Sequence, residues 1–191
     1  QPMHSACDRF VMVFNGEIYN HLAIRSKLQA TNQESLDWRG HSDTETLLAA
    51  IVEWGIEKTL KECAGMFAIV LWDRQENVLT LVRDRMGEKP LYYGWQGNTF
   101  MFASELKALK VHPDFKGEID RQSLSLLLSF NYIPAPNSIY RGISKLPSGT
   151  FLQIPINNYQ LPVKVTPYWS LGEVAKKGQS QLFSGNDDQA L

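Results

Sequence analysis

Asn15-Gly16-Glu17-Ile18-Tyr19-Asn20-His21 follows directly on the apolar run Phe10-Val11-Met12-Val13-Phe14, and it is the stretch best equipped for chemistry. A glycine after a strand leaves its backbone N–H approachable, because no Cβ blocks a ligand. Asn15 places a neutral amide donor beside it. Two converging donors stabilise a carbonyl oxygen that turns negative, and removing one typically costs roughly 3–4 kcal/mol of transition-state stabilisation. Glu17 adds a carboxylate able to hold a substrate ammonium. The plainer reading of Asn-Gly after a strand is a turn.

The surrounding elements have to position that stretch. Phe10 to Phe14 reads as a strand covered on both faces, since its hydrophobicity is continuous rather than alternating. Leu22 to Leu28 reads as a short helix, and a polar loop runs from there to Gly40. Ser42-Asp43-Thr44-Glu45 has the form of a capping box ahead of Leu47, Leu48, Ile51 and Trp54 at helical spacing. Gly55 ends that helix, and Ile56 to Cys63 makes another. Met66 to Trp72 and Val78 to Val82 read as antiparallel strands, and Leu91 to Trp95 with Thr99 to Ala103 as a hairpin around Gln96-Gly97-Asn98. Ser104 to Leu109 and Gln122 to Phe130 are helical, and Thr150 to Ile154 is a final strand. From Ser170 the composition suits a linker. Ser184 to Leu191 has the cap and acidic first turn with which a helix begins. Helices early and strands in hairpin order give an α+β class with an antiparallel sheet.

Composition narrows the function classes. In 191 residues, 19 Lys+Arg balance 20 Asp+Glu, and the net charge of −1 argues against nucleic acid as a partner. A chain of this length buries roughly 70% of its unfolded surface and needs no disulfides or metal to hold a core. Two cysteines do not make a disulfide framework, which suits a reducing, cytoplasmic setting. The longest apolar stretch, Cys63 to Trp72, is about half of the roughly 20 residues that a membrane span needs. No charged-then-apolar leader opens the chain.

Asn15 to His21 resembles the glutamine-binding signature of class II glutamine amidotransferases, in a spelling similar to that of asparagine synthetases. His41-Ser42-Asp43-Thr44-Glu45 resembles their second signature. Gly65-Met66-Phe67-Ala68, Trp72-Asp73 and Arg83-Asp84-Arg85-Met86-Gly87-Glu88-Lys89-Pro90-Leu91-Tyr92-Tyr93 are similar to later landmarks. Phe102 to Leu109, Leu146-Pro147-Ser148-Gly149 and Tyr168-Trp169 complete the series in order. The resemblance implies a four-layer αββα sandwich of the N-terminal-nucleophile hydrolase type, with antiparallel sheets, over residues 1–169. That domain would lack its N-terminal segment, and residues 170–191 would lead towards an absent ATP-dependent synthetase domain. By the same resemblance Asn15 and the Gly16 N–H form an oxyanion hole, while Glu17 and Asp43 hold the α-amino group of glutamine. A carboxylate in the first turn of a capped helix is favoured by the dipole, and Asp43 could face Glu17 from there. The plainer reading is that Asp43 only starts the helix.

The nucleophile of that family is a cysteine at the mature N-terminus, its own amino group the general base. This chain begins with Gln1, and neither Cys7 nor Cys63 fits that place. The family's arginine for the glutamine α-carboxylate would also precede Gln1. Ser184-Gly185-Asn186-Asp187-Asp188 only faintly echoes a pyrophosphate loop, so ATP and magnesium are expected in the absent domain and no cofactor in this one. The expected partners are glutamine, the missing synthetase domain and, as a homodimer, a second copy, with neither nucleic acid nor membrane. The chain alone is expected not to release ammonia from glutamine.

Other constellations are weaker. Cys7 with His4 or His41 has no spacing that places them together, and a small buried cysteine is the plainer role. The four histidines show no metal-ligand pairing. Arg83-Asp84-Arg85 reads as an ion-paired loop bracing the sheet, and the five tryptophans as packing residues. Two alternatives stand beside the glutaminase expectation: a non-catalytic module that senses glutamine or binds a partner, and an amidotransferase of a polysaccharide or antibiotic pathway.

Overall fold

The structure, a computed structural model, describes residues 1–31, 37–156 and 163–181. Along strand β2 (Phe10–Ile18) the side chains alternate, with Phe10, Met12, Phe14 and Ile18 buried and Val13, Asn15 and Glu17 exposed. The buried set packs against Ile24 and Leu28 of helix α1 (His21–Thr31) and Leu47, Leu48 and Ile51 of helix α2 (Asp43–Trp54). One face of β2 is thus covered by helices. The other is open, with Val13 44% exposed, so the two-sided cover expected from the apolar run does not hold here.

Among the described residues, two antiparallel sheets lie behind those helices. The larger runs in the order β1 (Met3–His4), β2, β3 (Gly65–Asp73), β4 (Val78–Arg83), β8 (Thr150–Pro155) and β9 (Lys164–Pro167). The smaller has β5 (Tyr92–Gln96) between β6 (Thr99–Ala103) and β7 (Ile143–Lys145). Ala68, Val70 and Leu81 of the large sheet meet Leu91 and Leu146 in a second core, with Tyr93 and Phe100 of the small sheet packed on it. Beyond the small sheet, Met101 and Ile143 pack on Leu109 of the short helix α4 (Leu106–Leu109) in a third core. Three cores separate four layers, helices–sheet–sheet–helix.

Local chemistry explains most element ends. Ser42 Oγ accepts from the Glu45 N–H at 3.2 Å, but Glu45 reaches back past Ser42 to the N–H groups of Arg39 (2.7 Å) and Gly40 (3.1 Å). The capping box therefore anchors the approach to α2 as well as its first turn. Gly55, at φ +77°, closes α2 and opens α3 (Ile56–Glu62). Asp120 caps α5 (Arg121–Phe130) by accepting from the N–H groups of Gln122 and Ser123. The short strands β1, β7 and β9 carry too little pattern to read from sequence, so Thr150–Pro155 is not the last strand. Within the linker-like composition, Ser170 caps a helix α6 (Leu171–Ser180) that buries none of its residues. The helix start expected at Ser184 to Leu191 lies outside the described residues.

Candidate functional site

In an antiparallel strand, alternate residues send their N–H and C=O groups to opposite sides. The Tyr19 N–H reaches the Ala64 carbonyl beside β3, so odd-numbered residues at this end of β2 face β3 and even-numbered ones the outer edge. On that edge the Phe10 N–H bonds Ser5 Oγ, and Met12 is registered against Met3 of β1. Phe14 donates to Gln1 Oε1 (3.0 Å) and accepts from Gln1 Nε2 (2.6 Å), while the Ile18 N–H donates to Asp43 Oδ2 (3.0 Å). Gly16 has the same parity and lies between the last two. Its N–H points off the edge into the slot between the Gln1 carboxamide and the Asp43 carboxylate. Phe67, which faces Gly16 on β3, has both backbone groups engaged by Asp84 instead.

The glycine is demanded by the protein as well as by any ligand. A Cβ at Gly16 would stand 2.1 Å from the Met66 carbonyl oxygen and 2.7 Å from Phe67 Cα. One at Gly65 would stand 2.2 Å from the Glu17 carbonyl oxygen. Two glycines let β2 and β3 close together here, and pairing continues without a break to Ile18↔Gly65. The turn suggested by Asn15-Gly16 is absent, because the residues that looked like a stop are ladder residues.

Asn15 is registered against Ala68, a member of the core between the sheets, so its side chain stands on the inner face of the large sheet. Glu17 follows on the same face, about 6.8 Å along the strand. Asn15 Nδ2 donates to Ser104 Oγ at 3.0 Å, which uses one amide hydrogen and leaves the other free. Asn15 therefore presents a donor off the inner face and Gly16 one off the adjoining edge. Asp43 both starts α2, accepting from the Thr44 N–H at 2.7 Å, and ties that helix to Ile18. All four residues singled out in the sequence meet at one corner. Just beyond it, partial desolvation and then the carboxylates of Glu88, Glu17 and Asp84 raise the Tyr19 phenol above its ordinary pKa.

The loop behind this corner is held by backbone bonds, which corrects the ion-pair reading of Arg83-Asp84-Arg85. Fully buried Asp84 accepts from the N–H groups of Phe67 (3.1 Å), Met86 (3.1 Å), Glu88 (2.9 Å) and Lys89 (2.9 Å). Arg83 donates to the carbonyls of Lys89 (2.9 Å), Gly87 (2.6 Å) and Leu146 (2.8 Å). The Tyr168 hydroxyl donates to the Arg83 carbonyl at 2.9 Å. Neither this hub nor the roles of Ser104 and Gln1 at the edge can be read from residue types alone.

Neither cysteine reaches the corner. Cys63 is 1% exposed, and burial pushes its thiol up to about 12. Cys7 is exposed in the connection before Phe10, with Ser5 Oγ 3.4 Å from its sulfur. Asn15 lies five residues beyond Phe10, roughly 17 Å further at ~3.4 Å per residue. Cys7, His4 and His41 line one cavity of about 560 Å³, yet His4 is engaged with Arg74 and Asp8. Among the described residues, no group of three or more His, Cys, Asp or Glu could hold a metal ion, and no helix is long and apolar enough to cross a membrane.

Comparison with known proteins bears on this arrangement. A family model described as "Glutamine amidotransferase domain" matches residues 1–169. Asparagine synthetase [glutamine-hydrolyzing] 3 of Bacillus subtilis is 38% identical over 156 residues, covering 76% of this chain and 24% of the relative. A putative asparagine synthetase [glutamine-hydrolyzing] of Mycobacterium tuberculosis H37Rv is 36% identical over 185 residues, covering 95% of this chain and 27% of the relative. The chain thus spans about a quarter of these relatives. The solved glutamine phosphoribosylpyrophosphate amidotransferase of B. subtilis is similar in fold, at a TM-score of 0.57 and 20% identity, over 88% of this chain and 32% of that one. A solved allosteric regulatory enzyme of purine biosynthesis gives a TM-score of 0.58 at 19% identity, over 88% and 31%. The four-layer sandwich is accordingly of the N-terminal-nucleophile hydrolase type expected from the sequence.

Proposed function

The chain belongs to the glutamine amidotransferase domain family, and from that membership we propose that the β2 corner binds glutamine for hydrolysis at its side-chain carboxamide. Asn15 Nδ2 and the Gly16 N–H receive the carboxamide oxygen, and Glu17 and Asp43 hold the α-ammonium. The attacking thiol comes from chain outside residues 1–191, because burial keeps Cys63 protonated and Cys7 sits at the wrong end of β2. Sulfur adds to the carboxamide carbon and the C=O electron pair moves onto oxygen. The two donors oppose that charge as it forms, each contributing roughly 3–4 kcal/mol. Collapse expels the nitrogen as ammonia once it has taken the proton given up by the thiol, leaving a thioester. Water then releases glutamate and restores the thiol, so glutamine and water become glutamate and ammonia.

The ammonia then attacks a carboxylate activated as its adenylate, aspartate being the first candidate, forming the amide as the acyl–phosphate bond breaks and AMP leaves. That step uses ATP and magnesium outside this chain, with residues 170–191 as the path towards it. The relatives described as glutamine-hydrolysing asparagine synthetases support this reading, as does an α6 that buries nothing here.

The observation that carries the proposal is the Gly16 slot on the β2 edge, flanked by Asp43 and adjoining the Asn15 amide. The test is ammonia release from L-glutamine by the protein at its full natural length and by this chain alone. The longer protein should turn over and lose that activity on Asn15→Ala, while the 191-residue chain should not. Steady turnover by this chain that survives replacement of both cysteines would overturn the assignment.

A further inference from the structure

Ser104 stands where β6 ends and the chain turns towards α4, directly after Ala103, which is registered against Tyr92 of β5. Its hydroxyl oxygen accepts from Asn15 Nδ2 at 3.0 Å, joining the small sheet to the inner face of the large one. We propose that Ser104 is a positioning residue that aims the Asn15 amide at the carboxamide oxygen of the substrate. The inference rests on the glutamine-pocket reading and deepens it by naming what holds the donor.

The physical case concerns orientation. An asparagine free to turn about its side-chain bonds presents its oxygen as readily as its nitrogen, and an oxygen aimed at a forming oxyanion repels it. The NH₂ group is planar, so engaging one hydrogen fixes the direction of the other. Donors contribute most when they are already in place before charge develops. Here both partners sit on packed elements. The Asn15 backbone is registered against Ala68, which is 4% exposed within the core between the sheets. Ser104 is carried by the strand on the far side of that same core.

The experiment uses the 191-residue chain with ¹⁵N-labelled asparagine side chains and backbone amides. Solvent exchange of the Asn15 NH₂ group and its response to tens of millimolar L-glutamine are followed in the unaltered chain, Ser104→Ala and Ser104→Thr. Exchange should rise about fivefold in Ser104→Ala, the factor to which a hydrogen bond of about 1 kcal/mol corresponds. It should return towards the original in Ser104→Thr, which keeps the hydroxyl. Glutamine should still shift the Glu17 and Asp43 signals in Ser104→Ala, while the shift at the Asn15 side chain falls by at least half. That split, with the remaining spectrum unchanged, separates positioning from general loosening. Unaltered exchange and response in Ser104→Ala would overturn the inference. If glutamine shifts none of these signals in the unaltered chain, the pocket itself is contradicted and the positioning role falls with it.

Discussion

Asp84 engages Phe67 through both of its backbone groups, taking the N–H on Oδ2 at 3.1 Å and donating its own N–H to the carbonyl at 2.9 Å. Phe67 faces Gly16 across the β2–β3 ladder. Because Phe67 turns its polar groups towards Asp84, Gly16 turns its own outward. The open N–H at the candidate site is thus linked to a buried carboxylate on the opposite flank of β3.

Asp84→Asn should destabilise the fold by about 2–4 kcal/mol, since two of the four accepted bonds would meet an NH₂ group that cannot accept. Oδ1 takes the N–H groups of Met86 and Glu88, and Oδ2 those of Phe67 and Lys89, so either orientation of the amide loses a pair. Urea unfolding measures the loss. A change below 1 kcal/mol would mean that the loop is held by Arg83 and the carbonyls alone.

Gly16→Ala should cost roughly 1–3 kcal/mol through overpacking, because its Cβ would sit 2.1 Å from a backbone oxygen that has no side chain to rotate away. The same change at Gly97, whose Cβ meets nothing within 4 Å, carries only the strain of a positive φ. Comparing the two melting temperatures isolates the close approach of β2 to β3. A loss at Gly16 smaller than that at Gly97 would contradict the close contact.

The two cysteines should differ sharply towards a thiol reagent at pH 8. Cys7 is exposed and should react within the time of mixing and measurement. With the Cys63 thiol pushed up to about 12, only ~1 molecule in 10⁴ carries its thiolate at that pH. It should label only in denaturant. Rapid labelling of both in the folded chain would contradict the burial of Cys63 in the core beside α2 and β2.

Acid should weaken the β2–β3 end near Arg9. Burial alone would raise the Asp73 carboxyl, but hydrogen bonds from Arg9 and from the N–H groups of Glu76 and Gln75 hold it below its ordinary value. A depressed carboxyl contributes stability that is complete above its unfolded pKa, about 3.9, and is lost as pH falls through the folded value. Asp73→Asn keeps Oδ1 as acceptor for Gln75 and Glu76 and loses the charge opposite Arg9. Its melting temperature should lie below the parent's at pH 7, modestly because Arg9 is part-exposed, and converge with it by about pH 2. A gap that is constant over that range would remove the ion pair from the account.

What the sequence disclosed followed from strength of pattern. The helix at Asp43–Trp54 carried a cap, a period and a closing glycine, and each has its counterpart in the structure. Met66 to Trp72 read as a strand, and β3 is buried without interruption from Phe67 to Leu71. The similar run at Phe10 to Phe14 misled, because its side chains alternate between a face packed on α1 and α2 and one on which Val13 stays 44% exposed. Asn15-Gly16 looked like a turn because local composition carries no record of Gly65, the partner glycine across the ladder. The four candidate residues could be named from their motifs, and their proximity needed only β2 and the start of α2. Ser104 was legible solely as a landmark, since a bond spanning 89 residues leaves no local trace.

A crystal structure of this chain with saturating L-glutamine tests the central claim most directly. The account predicts the carboxamide oxygen within about 3.1 Å of both Asn15 Nδ2 and the Gly16 N–H, with the α-ammonium against Glu17 and Asp43. Glutamine bound in the reverse sense, with its amino group at Asn15, or seated only in the cavity between β1 and α2, would contradict it.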